Sequence, residues 1–178
     1  MSNHDDSITA TPEAETALQG LRIEAELVNL LYQQTRTVLL GFTATSSIVA
    51  IIYFNNVPNI HIFIWLFVVY CLTFTRYISA RQFKAKERDL DDTVRWGWYF
   101  SIFAFLSGCT WGAATLLFFT PDNIQLFSIL TLIIIGLTIT SMAALSAVLW
   151  AYYAYAIPAV LPIVCRYMTM DDHSYYVF

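Results

Sequence analysis

Long runs without a formal charge alternate with short polar breaks along this chain. Residues 37–75 form one such run of 39 residues, and residues 123–165 form another of 43. One helical crossing of a bilayer needs about 20 apolar residues, so each run holds two crossings. Asn55-Asn56-Val57-Pro58-Asn59 breaks the first run with a strong turn signal. It predicts spans at about 37–54 and 60–78. A third span, about 96–119, ends at the turn Thr120-Pro121-Asp122-Asn123. The second long run predicts spans at about 124–146 and 152–169. No Gly, Pro or charge marks the break between those two, and a tight turn is expected near Leu149-Trp150-Ala151. Beyond the polar Asp171-Asp172-His173 the chain turns apolar again, so a sixth span is expected to begin near residue 174. A chain that stops on such a segment reads as a fragment, with a further domain expected downstream.

The stretch ahead of the first span has a different period. Residues 1–11 are polar and expected to be disordered. Thr11-Pro12-Glu13 then reads as a helix start, with a capping hydroxyl, a preorganised proline and an acid at the positive end of the dipole. Leu18, Leu21, Ala25, Val28, Tyr32 and Thr35 recur as one helical stripe. The pattern predicts an amphipathic helix over 12–36, lying on the cytoplasmic membrane surface or forming a seam between two copies of the chain. The fold class expected is therefore an all-α integral membrane bundle over 37–178: five transmembrane helices and the start of a sixth, preceded by that amphipathic helix.

Composition supports the bilayer. The chain is 58% hydrophobic and 12% charged, about half the charge of an ordinary soluble domain, and its mean hydropathy is +0.59. Charge gives orientation. Arg76, Arg81, Lys84, Lys86, Arg88 and Arg95, six of the nine Lys and Arg, crowd into the connection after the second span. Lys and Arg accumulate in cytoplasmic loops, so this connection and the N-terminus are placed in the cytoplasm. The implied location is a bacterial inner membrane. No broad basic face for nucleic acid is present. The cysteines Cys71, Cys109 and Cys165 make no CxxC pair, so they suggest neither a metal site nor a disulfide framework.

The candidate chemistry is sparse. Gly97, Ser101, Ala104, Gly108 and Gly112 line one face of the third span, and Gly136 lies on a similar stripe of the fourth; small residues let helix backbones approach closely in lipid. Pro158 and Pro162 predict a kink in the fifth span. His61, Asp122, Arg166 and His173 gather on the extracytoplasmic side and are the candidate sensing residues, with Arg166 able to snorkel or to pair with Asp122, Asp171 or Asp172. No catalytic constellation is recognisable, and no cofactor or metal is expected.

Several stretches together resemble the N-terminal multi-span membrane modules of bacterial signalling proteins. They are Glu26-Leu-Val-Asn-Leu-Leu-Tyr32, the basic connection, Ser107-Gly108-Cys-Thr-Trp111-Gly112, and Tyr155-Ala-Ile-Pro158 through Leu161-Pro162 to Arg166. Such MASE-like regions precede PAS and diguanylate cyclase (GGDEF) domains or histidine kinases. The resemblance implies a sensory or anchoring role, with output from a C-terminal cytoplasmic domain and no enzyme activity in this chain. The device expected is a bundle with two arrangements, in which a kinked fifth span and sliding small-residue faces bias the geometry of a homodimer. The competing reading is a small transporter or channel subunit. An intramembrane enzyme needs a nucleophile and base within reach, and the span interiors show neither pairing.

Overall fold

The computed structural model describes residues 12–84, 90–120, 123–145 and 148–174. They form five helices with no strand among the described residues: α1 Pro12–Tyr53, α2 Asn59–Lys84, α3 Leu90–Leu117, α4 Ile124–Leu145 and α5 Leu149–Ser174. The expected disordered tail over 1–11, the residues Lys86 and Arg88 of the basic connection, and residues 175–178 of the expected sixth span lie outside the described residues.

Four helices carry segments long and apolar enough to cross a membrane: Asn59–Phe83, Arg95–Leu117, Ile124–Ala143 and Leu149–Thr169. A fifth is reached when Ala25–Thr35 and Thr37–Tyr53, bent by 44°, are taken as one span. The expected boundary at residue 36 is therefore a bend and not a stop. One helix, α1, contains both the amphipathic stretch and the apolar one. No glycine or proline interrupts it after Pro12 except Gly20 and Gly41, and a lone Gly costs a helix only about 1 kcal/mol.

Helix ends follow local chemistry. Asn55 adopts φ 65° just after α1, a left-handed conformation that Asn tolerates better than other side-chain-bearing residues. Asn56 donates its backbone N–H to the Tyr53 carbonyl at 3.0 Å, and the Asn55 N–H meets Asn59 Oδ1 at 3.2 Å. Asn123 caps α4, its Oδ1 accepting from the Leu126 N–H at 3.3 Å. The α4–α5 break is earlier than expected. α4 stops at Leu145 and α5 starts at Leu149, so Leu149-Trp150-Ala151 is the first turn of α5. The Val148 carbonyl already accepts from the Ala151 N–H at 3.0 Å.

α3 is the axis of the bundle, the most deeply buried of the spanning helices. Its nearest neighbour is α5. A Cβ on Gly108 would lie 2.3 Å from the Tyr155 carbonyl oxygen, and one on Gly112 2.2 Å from that of Pro158. The two backbones are thus in direct contact, which only glycine permits. Pro158 and Pro162 do not interrupt α5, which runs unbroken through both. Their rings face the glycines, with Pro158 Cγ 2.8 Å from the Gly108 position and Pro162 Cγ 3.0 Å from the Gly112 position. Pro162 has no N–H for the Pro158 carbonyl, and that same carbonyl faces the Cα–H of Gly112, a weak donor. Elsewhere on the small-residue face, Gly97 meets Val28 of α1, and Ala104 is buried. Gly136 is different: it is exposed, with nothing within 4 Å of a Cβ built there. α4 packs mainly through Phe127, Leu130, Ile134 and Thr138, and turns Leu132, Ile139 and Met142 outward.

At the end where α1 meets α2 and α3 meets α4, Tyr53 is fully buried and stacks on Phe118 at 5.1 Å. Its hydroxyl donates to the Leu126 carbonyl at 2.6 Å. Tyr53→Phe keeps the stack and leaves that bond unmade. It should destabilise the bundle by about 1 kcal/mol, read as a shift in equilibrium unfolding by SDS.

Candidate functional site

Of the four residues singled out as sensing candidates, only His61 and Arg166 have their side chains among the described residues. Asp122 lies outside the described residues, and His173 falls in α5 with its side chain outside them. His61 is half-buried in the first turn of α2, its Nδ1 buried without a hydrogen-bond partner. Arg166 is half-buried on α5, and no contact joins it to His61 among the described residues. Its guanidinium carbon sits 3.7 Å from the centroid of Phe119, a cation–π contact. Phe119 meets Phe127, which meets Tyr167, with centroids 5.4 and 5.2 Å apart. Arg166 is thus held on an aromatic platform. Its expected pairing with Asp122, Asp171 or Asp172 involves side chains outside those described.

The charged group inside the bundle is one that the sequence reading placed in the basic connection. Arg76 lies on α2, eight residues before Lys84, which is about 12 Å of helix. Only 8% of its surface is exposed. Ile62, Trp65, Val69, Ala80 and Phe83 are the other buried positions of α2, and Arg76 continues their helical stripe. An ionisable residue therefore lies inside the bundle, on the second span and not in the connection after it. Arg81, by contrast, is exposed and lies beside Tyr77 at 5.9 Å, and Arg95 is exposed.

Three other helices surround Arg76. Its Nη1 donates to Ser107 Oγ on α3 at 3.3 Å, and Ser107 in turn donates to the Phe103 carbonyl at 2.8 Å. The guanidinium carbon stands 5.0 Å from the centroid of Phe100 on α3. Tyr32 on α1 and Tyr155 on α5 lie within electrostatic reach. Ser107 adjoins Gly108, the residue whose backbone touches that of Tyr155, so the α3–α5 contact positions both hydroxyls beside the cation.

Toward the basic connection the site is closed by rings. Tyr32 stacks on Phe83 at 4.0 Å and meets Phe100 edge-on at 5.5 Å. Trp96 lies 6.1 Å from Tyr32 and 5.9 Å from Phe83, and the Tyr32 hydroxyl donates to the Trp96 carbonyl at 3.2 Å. This arrangement binds α1 to the α2–α3 hairpin. Among the described residues no carboxylate lies within ion-pair distance of Arg76, and no group of three His, Cys, Asp or Glu is placed to hold a metal.

A second polar pair lies deeper. Trp111 and Thr115, one turn apart on α3, are fully buried, and neither Trp111 Nε1 nor Thr115 Oγ1 has a hydrogen-bond partner. Trp65 stands against Trp111 at 5.3 Å and sends its own Nε1–H to the Thr110 carbonyl at 2.9 Å. The spacing of Arg76 on its stripe was a signal open to sequence reading. The Trp111 and Thr115 pair had none, because Trp and Thr at helical spacing look like ordinary packing. Comparison with protein-family models, with curated proteins and with solved structures finds no match to this chain.

Proposed function

We propose that this chain is the membrane-embedded sensory or anchoring module of a bacterial signal-transduction protein. Five crossings are reached with Ala25–Thr35 and Thr37–Tyr53 of α1 taken as one bent span, and the amphipathic start of α1 leads into it. The N-terminus and the α2–α3 connection face the cytoplasm, where Lys and Arg accumulate. A C-terminal diguanylate cyclase or histidine kinase domain receives the signal, and a homodimer carries it. The observation that supports this reading is the continuity of α1 together with its anchorage at Tyr32 to α2 and α3. One helix joins the bundle to the polar segment outside it, so a displacement around Arg76 is felt beyond the membrane. Reading the coding sequence beyond Phe178 tests the proposal. An in-frame cyclase or kinase domain is expected, and a stop codon directly after Phe178 sinks it.

A transporter or channel subunit is the second reading, and Arg76 favours it. Ionisable residues inside membrane spans commonly mark substrate or ion paths. Proteoliposomes that accumulate a radiolabelled anion, with uptake lost in Arg76→Gln, would select this reading over the first.

A further inference from the structure

We propose that Arg76 holds an oxyanion of the phosphate type, supplied by a lipid headgroup or by free phosphate. The inference starts from a shortage of acceptors. A guanidinium carries five N–H donors and is never neutral. Here it is more than nine-tenths buried. Among the described residues its partners are one hydroxyl and one ring face. A buried charge without a counter-charge is among the most costly features a membrane bundle can contain.

The chemistry of the surroundings selects the class of ligand. A planar fork of N–H groups matches the paired oxygens of a phosphate or carboxylate. Tyr155 contributes a hydroxyl from α5 within electrostatic reach of the same cation. No carboxylate competes for it among the described residues. Arg76 keeps 8% of its surface accessible.

Depth points to phosphate. Exposed Trp98 and Tyr99 stand near the start of α3, about two turns of helix before Ser107, and such exposed Trp and Tyr sit at the level of the lipid headgroups. The guanidinium therefore lies about a turn or two of helix inside that level, within reach of a phosphate that dips between the helices. Trp111 and Thr115 lie farther from this end of α3 and do not join the site. The proposal stands apart from the signalling reading, since a stop codon after Phe178 would leave the anion site untouched.

The test uses the protein extracted from membranes and exchanged into phosphorus-free detergent. Wild type should retain about one phosphorus per chain, and Arg76→Gln about tenfold less, with Arg76→Lys in between because it loses the fork but keeps the charge. After delipidation, phosphatidylglycerol micelles, inorganic phosphate and a phosphate-free galactolipid are compared as stabilisers. A rise in Tm of about 4 °C or more with phosphatidylglycerol alone assigns the lipid source. The same rise with inorganic phosphate assigns the free ion. Ser107→Ala and Tyr155→Phe, which keep the cation, should raise the phosphate concentration needed for the same Tm rise several-fold, even if Arg76→Gln does not fold. Wild type with neither retained phosphorus nor a Tm response to either additive overturns the proposal. So does an equal response in wild type and a folded Arg76→Gln.

Discussion

Gly112→Ala lowers the stability of the bundle by about 1–3 kcal/mol, and Gly112→Val by more, because α5 has no side chain to move out of the way. The atom in the path of the new Cβ is the Pro158 carbonyl oxygen at 2.2 Å, which is backbone. Relief requires the α3 and α5 axes to separate, and that separation also loosens Gly108 against Tyr155. Gly108→Ala should behave alike. The two effects will not add, since one displacement relieves both clashes. Gly136→Ala is the control. With nothing within 4 Å it should be neutral or slightly stabilising, because Ala is the better helix former by about 1 kcal/mol. Equilibrium unfolding of the three variants in mixed micelles separates backbone contact from the mere presence of glycine in a helix.

Trp111→Ala should cost about 3–5 kcal/mol, as large-to-small changes of a fully buried aromatic do. Trp111 is wholly enclosed, with Phe42 of α1 and Trp65 of α2 edge-on at 5.7 and 5.3 Å. Its removal therefore loosens three helices at once. In lipid the loss is chiefly of packing contacts, since the hydrocarbon outside is as apolar as the core. Trp111→Phe should cost only about 1–2 kcal/mol. It keeps a ring between Phe42 and Trp65 and removes an N–H that has no partner. An equal loss in both variants, measured by SDS unfolding, would mean that the indole nitrogen contributes to stability through a contact not seen here.

Much of the architecture was legible because charge and turn chemistry are local. Asn55 through Asn59 announced a hairpin, and Thr120 through Asn123 announced the turn that ends at Asn123, the cap of α4. The break before Leu149 carries no such mark, and it was placed a turn too late. The uncharged run from residue 37 was read as a fresh span because charge usually ends one; the helix bends there and continues. The pairing of α3 with α5 lay beyond sequence reading. A small-residue face shows that something approaches closely without saying which helix, and the similar stripe around Gly136 turned out to face outward. Arg76 shows the limit of counting. It was grouped with exposed Arg81 and Arg95 by its position along the chain, while its place on the stripe with Val69 and Phe83 put it inside. Which partners surround it depended on tertiary packing from α1, α3 and α5.

The proline rings lodged against Gly108 and Gly112 work as a key in a slot. A slip of α5 along α3 by one turn would push a ring toward Ala104 or Thr115 in place of a glycine, where side chains already fill the gap. The two helices therefore cannot ratchet past each other, and they rock or translate as one beam. Any stroke the bundle delivers has to arise where α1, α2 or α4 rests on that beam.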